Sequence, residues 1–193
     1  MELLSAMLGG FLAAGTGWLL QIQIERQKVA RIRKFLSIAI ADDLEHSLNI
    51  YDRIEDEWSM TSTIWFSSLN ELRESRAVFN NNKDSIISFN DQKIRRRIFK
   101  YYLKSSELIG LLDFYQRRRY ELQGKFNDMV TNIKINENGI SEEKAKEIAL
   151  SIMHQEDEEF KKIENAIPET IKKLLGQKLE ATELMTSLKM KRV

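Results

Sequence analysis

Residues 3–20 read LLSAMLGGFLAAGTGWLL, eighteen consecutive positions that carry no charged side chain. As an α-helix this stretch would be about 27 Å long, which is close to the hydrocarbon thickness of a bilayer. Ile22 and Ile24 extend the apolar character to residue 24. The sequence therefore predicts a transmembrane helix within residues 1–24. The alternative interpretation is a helix buried in the core of a soluble protein.

The charges around this stretch predict its orientation. Residues 25–34 hold five basic side chains and one acidic side chain, a net charge of +4, whereas only Met1 and Glu2 precede the apolar run. Loops rich in Lys and Arg stay in the cytoplasm, and a cleavable signal peptide has its positive charge before the apolar run. We expect a single-pass protein of the inner (cytoplasmic) membrane, with its N-terminus outside and its body cytoplasmic.

Small and weakly polar residues repeat along the predicted span. Small residues at four-residue spacing let helix backbones approach closely in lipid, and those predicted to pack against other copies are Ala6, Gly10, Ala13, Ala14 and Gly17. In a ring of such helices, one further stripe would line a narrow pore. Its residues are Ser5, Gly9, Leu12, Thr16, Leu19 and Gln23. A simpler reading of the stripe is that Ser and Thr hydrogen-bond their own helix backbone.

The rest of the chain is typical of long helices. It contains one proline, eight glycines and no cysteine among 193 residues, which leaves little turn chemistry for a many-stranded fold and excludes disulfide and thiolate sites. We predict an all-α fold, in which the span continues into a cytoplasmic bundle over residues 25–193. The apolar periodicity predicts helices at 25–58, 62–75, 91–133, 141–167 and 168–190. The least helical stretch is 76–91, predicted as a loop with a brief extended segment at 86–89 as the alternative, and Pro168 predicts a kink or a restart of the helix.

A basic helix is the clearest candidate for a binding site. Residues 91–119 hold nine basic and three acidic side chains, a net charge of +6, with tyrosines and Phe114 interleaved. Arginine and aromatic side chains bind phosphates and stack on bases. The predicted ligand-binding residues are Arg95, Arg96, Arg97, Lys100, Lys104, Arg117, Arg118 and Arg119. Alternatively, these cations pair inside the bundle with the acidic segments 42–57 and 137–164, or contact lipid or a protein partner.

Catalytic and metal-binding patterns are weak. Asp43 and His46 have the spacing used by di-iron carboxylate bundles, but such a site needs a second copy, and Ser151 stands at that spacing before His154. Neither a nucleophile elbow nor a glycine-rich phosphate loop is present in the sequence. We therefore expect no metal, no cofactor and no enzymatic activity.

The plan of a small-residue-rich span, a cytoplasmic body and a basic helix at 91–119 resembles the short membrane effectors of prokaryotic antiphage defence. Examples are Hailong-like effectors and those linked to cyclic oligonucleotides. The resemblance is in architecture alone, and no motif is shared. It implies a homo-oligomer of four or more subunits that forms a pore gated by an anionic nucleotide or oligonucleotide. The alternative is a membrane-tethered helical adaptor that docks a protein partner without forming a pore.

Overall fold

The computed structural model describes residues 2–137 and 139–190, with side chains described from residue 15 onward. Within this part the chain folds into α-helices and one 3₁₀ helix, and no strand is present. The α-helices are α1 (Glu2–Thr61), α2 (Phe66–Glu74), α3 (Ala77–Asn81), α4 (Gln92–Asn136), α5 (Glu142–Glu156), α6 (Glu158–Leu175) and α7 (Gln177–Met190). The 3₁₀ helix spans Asp84–Ser88. The predicted all-α fold is confirmed.

Helix α1 dominates the architecture. Its 60 residues form one continuous helix of about 90 Å. Residues 15–35, here called the stalk, are largely exposed apart from Ile32, which packs on the core, and full burial begins at Leu36. From there Ile40 and Leu44 continue one buried face at four-residue spacing, which is the period that a helix needs to pack against a core.

Helices α4 and α7 complete the core of the bundle beside α1. Helix α4 runs parallel to α1, since the start of the buried part of α1 shares one core with Ile94 and Ile98 of α4, and the later part of α1 shares the other core with Leu108 and Leu112. Helix α7 runs antiparallel, so that the hydroxyl of Ser37 donates a hydrogen bond of 3.0 Å to the carbonyl of Leu188. The apolar core nearest the stalk is built by α1, α3, the 3₁₀ helix, α4 and α7.

The far half of the bundle has its own core. Residues of α1, α2, α4, α5 and α6 form it, together with Ile64 from the linker before α2. Beyond the end of α1, the last third of α4 packs on α5 through Val130, Ala145 and Ala149. The chain then returns along α6 and α7 toward the stalk.

Several predicted boundaries differ from those of the structure. The predicted 141–167 helix is divided at Asp157, because its carboxylate accepts the amide protons of Glu159 and Phe160 and starts a new helix. Pro168 lies inside α6, so the predicted restart of the helix there is wrong, while the alternative of a kink stays a prediction; the chain turns at Gly176.

The stretch 76–91, predicted as a loop with an extended alternative at 86–89, is more helical than its composition suggested. It contains α3 and the 3₁₀ helix, and both bury one large apolar side chain (Phe79 and Ile86) against the core. The predicted turn at Asn138-Gly139 lies partly outside the described residues. Gly139 itself has a φ of +93°, a backbone conformation that favours glycine.

Among the residues whose side chains the structure describes, no helix is long and apolar enough to cross a membrane. Most of the predicted span lies outside that part. The predicted pore-lining residues Ser5, Gly9 and Leu12 are there, as are the packing residues Ala6, Gly10, Ala13 and Ala14. The pore, the helix packing and the span itself remain predictions.

Candidate functional site

The predicted ligand-binding residues do not form one site. Arg97 and Arg118 both lie on α4, but 21 residues of helix separate their backbones by about 32 Å. The structure therefore divides the predicted residues into a group at the start of α4 and a group at its middle.

The group at the middle of α4 is engaged in ion pairs. Arg118 donates to both carboxylate oxygens of Glu159, at 2.6 and 2.8 Å, and also pairs with Glu121. Hydrogen bonding to Glu159 raises the pKa of Arg118, and the same contact lowers the pKa of Glu159. Arg119 Nε lies 2.9 Å from Glu164 Oε1. Glu159 and Glu164 belong to α6, so here the acidic segment 137–164 neutralises the basic helix.

Three other predicted residues also have carboxylate partners. Arg97 bridges to α7, with its Nε 2.8 Å from Glu180 Oε1 and its Nη2 2.9 Å from Glu183 Oε2. Hydrogen bonding to Glu180 raises the pKa of Arg97. The remaining pairs lie within α4: Arg117 with Asp113 at 3.3 Å, and Lys104 with Glu107 at 2.9 Å.

The other acidic segment, 42–57, pairs with α7 rather than with the basic helix. Lys178 lies 2.6 Å from Asp52 Oδ1 and also contacts Glu55. Lys189 lies 2.7 Å from Glu45 Oε2 and lowers the pKa of that carboxyl group through a hydrogen bond. The start of α4 consequently keeps its positive charge.

Arg95 and Arg96 line a groove of about 700 Å³ between α4 and the 3₁₀ helix. We call it the basic groove, and its lining residues are Lys83, Asp84, Ile87, Gln92, Arg95, Arg96 and Phe99. Within the described part of the chain, none of its three cations takes part in an ion pair. With Asp84 as the one acidic lining residue, the groove carries a net charge of +2.

The local structure fixes the position of two of these cations. The Arg95 guanidinium donates to the carbonyl of Phe89, at the end of the 3₁₀ helix. Lys83 Nζ lies 5.5 Å from the centre of the Phe79 ring, a favourable cation–π distance. Arg96 is exposed and makes no such contact with the residues that the structure describes. The predicted Lys100 is also exposed, one helical turn beyond Arg96.

Sequence reasoning missed Lys83 because it stands in the polar run NNNKDS, outside any recognisable helix. The one signal in the sequence that could have indicated Lys83 is local, since Asp84 and the apolar pair Ile86 and Ile87 follow it closely. Once Ile86 is buried in the core, the 3₁₀ helix is fixed beside α4 and Lys83 faces the groove.

The basic groove lies near the root of the stalk. The 3₁₀ helix packs on α1, and a second cleft of about 520 Å³ lies between the stalk and the residues that follow the 3₁₀ helix. Arg33 and Lys34 of α1 line this cleft on one side, while Phe89 and Ile94 line the other. The positive charges of the stalk and of the start of α4 therefore belong to the same end of the bundle.

A buried arginine stabilises this end from within. Arg76 is 4% exposed and donates to the hydroxyl of Ser106 and to the carbonyl of Tyr102. Its guanidinium also lies 5.6 Å from the centre of the Tyr102 ring, which stacks on Phe79 at 4.2 Å. These contacts tie the α2–α3 connection to α4, so the buried cation has a structural role.

The other candidate chemistry finds no support in geometry. In the described part of the chain, no three His, Asp or Glu side chains converge as metal ligands would. His46 instead lies 3.6 Å from Glu71 Oε1, and the ring of His154 packs edge-on against Phe160 at 5.0 Å.

Comparison of the chain with protein-family models, with curated protein sequences and with solved structures finds no match. The basic groove and its position beside the stalk are therefore the observations on which a function can be argued.

Proposed function

We propose that the chain is a homo-oligomeric, single-span membrane protein that forms a gated pore. In this proposal an anionic ligand, a nucleotide or oligonucleotide, binds the basic groove of the cytoplasmic bundle and opens or closes the pore. The single observation that carries the proposal is the set of Lys83, Arg95 and Arg96, which lack ion pairs among the described residues and lie beside the stalk root.

Phosphate groups fit this groove better than other anions of similar charge. Arginine presents a planar fork of donors that matches phosphate oxygens, while lysine adds a point charge. Phe99 and Ile87 supply apolar surface in the same groove, and Ile87 is 79% exposed. A ligand that combines phosphate with a flat apolar base would use both kinds of surface.

The stalk supplies a route from the groove to the predicted span. Because α1 has no break between Glu2 and Thr61, a rotation or tilt of α1 within the bundle moves the stalk as well. In the monomer the bundle leaves the stalk's apolar side chains uncovered, and Trp18 and Ile24 are each 64% exposed. Lipid and neighbouring copies of the span would cover them.

Gating sets a thermodynamic condition on the ligand. The ligand must bind one arrangement of the bundles more tightly than another, because a ligand with equal affinity for both does not shift the equilibrium between them. The proposal therefore requires that closing the basic groove on a phosphate change how the 3₁₀ helix packs on α1.

Binding of a fluorescently labelled, short single-stranded DNA to the detergent-solubilised protein tests the ligand part of this proposal. Replacing Arg95 and Arg96 by Glu should abolish binding and leave the fold intact, because neither side chain is buried. The matched control replaces the exposed Lys162 and Lys172 by Glu, which changes the net charge equally. Equal losses in the two variants would mean that charge alone governs the interaction, and the groove would not be its site.

The adaptor without a pore remains the second candidate, and subunit number separates the two. Mass photometry and particle averaging of the full-length protein should show a closed ring of four or more subunits with converging spans. A monomer or dimer would leave too few helices to enclose a channel and would favour the adaptor.

A further inference from the structure

The positive surface at the start of α4 extends beyond the basic groove. Lys93, Arg96 and Lys100 follow one another at three- and four-residue spacing, so they lie within about 60° of one another around the axis of α4. All three are exposed, and Arg96 also lines the basic groove, whereas Lys93 and Lys100 lie outside it. We call these three residues the cation row, which is about 10 Å long at the usual rise of a helix.

The cation row keeps its full positive charge. Among the residues that the structure describes, none of its three side chains takes part in an ion pair. The neighbouring cations of α4 differ in this respect, since Arg97 is paired with Glu180 at 2.8 Å and Lys104 with Glu107 at 2.9 Å. Ion pairs therefore bound the row on the side of α7 and toward the C-terminal end of α4.

Side chains, rather than backbone amides, provide most of the charge that a ligand meets here. The carboxylate of Asp91 accepts the amide protons of Lys93 at 2.8 Å and of Ile94 at 3.4 Å, so two donors at the N-terminus of α4 are already occupied. The cations of the row and of the groove are long, separate side chains. Each of them can consequently be removed by one substitution without changing the start of the helix.

The length of the row indicates a ligand with more than one phosphate. A phosphate group is much smaller than the distance between the two lysines at the ends of the row, so one phosphate cannot bridge them while their side chains are extended. A strand with successive phosphates can place one phosphate at Arg96 in the basic groove and others along the row. Lys and Arg contact the backbone of nucleic acids in this way, independently of sequence.

We propose that the ligand of the basic groove is a single strand of nucleic acid, in which at least two successive phosphates lie along the cation row. This inference rests on the proposed function, because it takes the basic groove as the site of the anionic ligand. An acidic peptide would match the charge, but the apolar surface of Ile87 and Phe99 in the groove suits a base that stacks on it. A mononucleotide would leave Lys93 and Lys100 without a phosphate.

Thymidine ligands of increasing length test whether successive phosphates matter. Thymidine 5′-monophosphate and thymidine oligomers of two to eight nucleotides compete with fluorescently labelled single-stranded DNA for the full-length protein at constant salt. Affinity should rise about tenfold or more from the monophosphate to the tetramer, because the tetramer reaches the row. Equal affinity of these two ligands would overturn the strand and leave the groove as an anion site. Absence of binding by every oligomer would overturn the strand and the proposed ligand together.

The salt dependence of binding counts the phosphates that the protein neutralises. For single strands, the logarithm of the affinity falls with the logarithm of the salt concentration by about 0.7 per neutralised phosphate. Lys100→Gln should therefore make this slope shallower by about 0.7 for the thymidine octamer and leave the affinity for the monophosphate unchanged. The matched control Lys172→Gln removes an exposed lysine of α6 and should change neither quantity. A wild-type slope in Lys100→Gln would overturn the role of the row.

An acidic peptide separates a nucleic-acid strand from a protein partner. Octaglutamate carries about the same charge as the thymidine octamer but offers no base to the apolar surface of the groove. It should compete about tenfold or more weakly than the octamer at the same salt concentration. Equal competition by the two ligands would mean that charge alone determines binding, and this result would overturn the proposal.

Discussion

Arg97 Nε lies 2.8 Å from Glu180 Oε1, so the third arginine of the 95–97 run is paired with α7 while the two before it are not. The helical period explains this difference, because adjacent residues are about 100° apart around α4. Arg97 faces α7, whereas Arg95 and Arg96 face the 3₁₀ helix and solvent. One basic sequence run thus contributes both to an ion pair with α7 and to the lining of the basic groove.

Arg96 and Arg97 should therefore respond differently to the same substitution. Arg97→Gln should lower the free energy of unfolding by about 0.5–1 kcal/mol, as expected for a partly exposed ion pair, and should leave ligand affinity unchanged. Arg96→Gln should lower ligand affinity and leave the free energy of unfolding unchanged. Urea unfolding and DNA anisotropy on both variants measure the two effects. A loss of ligand affinity in Arg97→Gln alone would contradict the assignment.

Two buried tyrosines provide a matched pair for the core. The hydroxyl of Tyr51 contacts those of Tyr101 and Ser105 at 3.1 and 3.2 Å, whereas the buried Tyr102 hydroxyl has no hydrogen-bond partner in the described part of the chain. Tyr51→Phe should lower the free energy of unfolding by about 1–2 kcal/mol, because it leaves buried hydroxyl groups unpaired.

Tyr102→Phe should leave the stability unchanged or raise it, since it removes a buried polar group that makes no hydrogen bond. The ring keeps its stacking on Phe79 in this variant. Chemical unfolding of the two proteins under identical conditions provides the comparison. Equal destabilisation by both substitutions would mean that the Tyr102 hydroxyl has a partner in solution.

Asp43 should make stability depend on pH. Burial raises the pKa of its carboxyl group from 3.8 to about 6, although the amides of Val78 and Phe79 partly oppose that shift. A raised pKa means that the folded state favours the protonated acid. The contribution of Asp43 to the free energy of unfolding is therefore fully present below pH 4 and is lost as the pH rises through 6.

We expect this effect to be about 1 kcal/mol, less than the full shift would give, since Asp43 is only half-buried and solvent screens its charge. Asp43→Asn should remove this component between pH 4 and pH 7, while its side-chain oxygen still accepts hydrogen bonds. Unfolding free energies at pH 4.5 and pH 7 report the result. An unchanged pH dependence in Asp43→Asn would assign it to other groups.

Pro168 is expected to weaken α6. It lies in the middle of an 18-residue helix and cannot donate an amide proton to the carbonyl of Glu164. Pro168→Ala should raise the free energy of unfolding by about 1–3 kcal/mol. Gly124→Ala on α4, where the added Cβ meets nothing within 4 Å, serves as a reference for an unconstrained helix site. It should raise the free energy of unfolding by about 1 kcal/mol. A loss of stability in Pro168→Ala would indicate that the packing requires the proline.

The helical fold and the long α4 followed from apolar periodicity, but the helix breaks depended on tertiary structure. Pro168 predicted a restart of the helix as one alternative, yet Ile163, Ile167 and Ile171 bury one continuous face and keep α6 intact around it. At Asp157 a side-chain cap ends one helix and begins the next, although the composition there is uniformly acidic.

The candidate site was predictable only in part. The charge count located the basic helix, but it could not separate Arg95 and Arg96 from the paired Arg97, because the partner Glu180 is 83 residues away in sequence.

Ion flux from liposomes that contain the full-length protein tests the central claim most directly. The wild-type protein should conduct, and short single-stranded DNA on the cytoplasmic side should change that conductance. The variant with Glu at positions 95 and 96 should conduct without responding to DNA, while the Lys162/Lys172 control should respond like the wild type. Flat flux from correctly inserted protein, or an unchanged DNA response in the Arg95/Arg96 variant, would contradict the account.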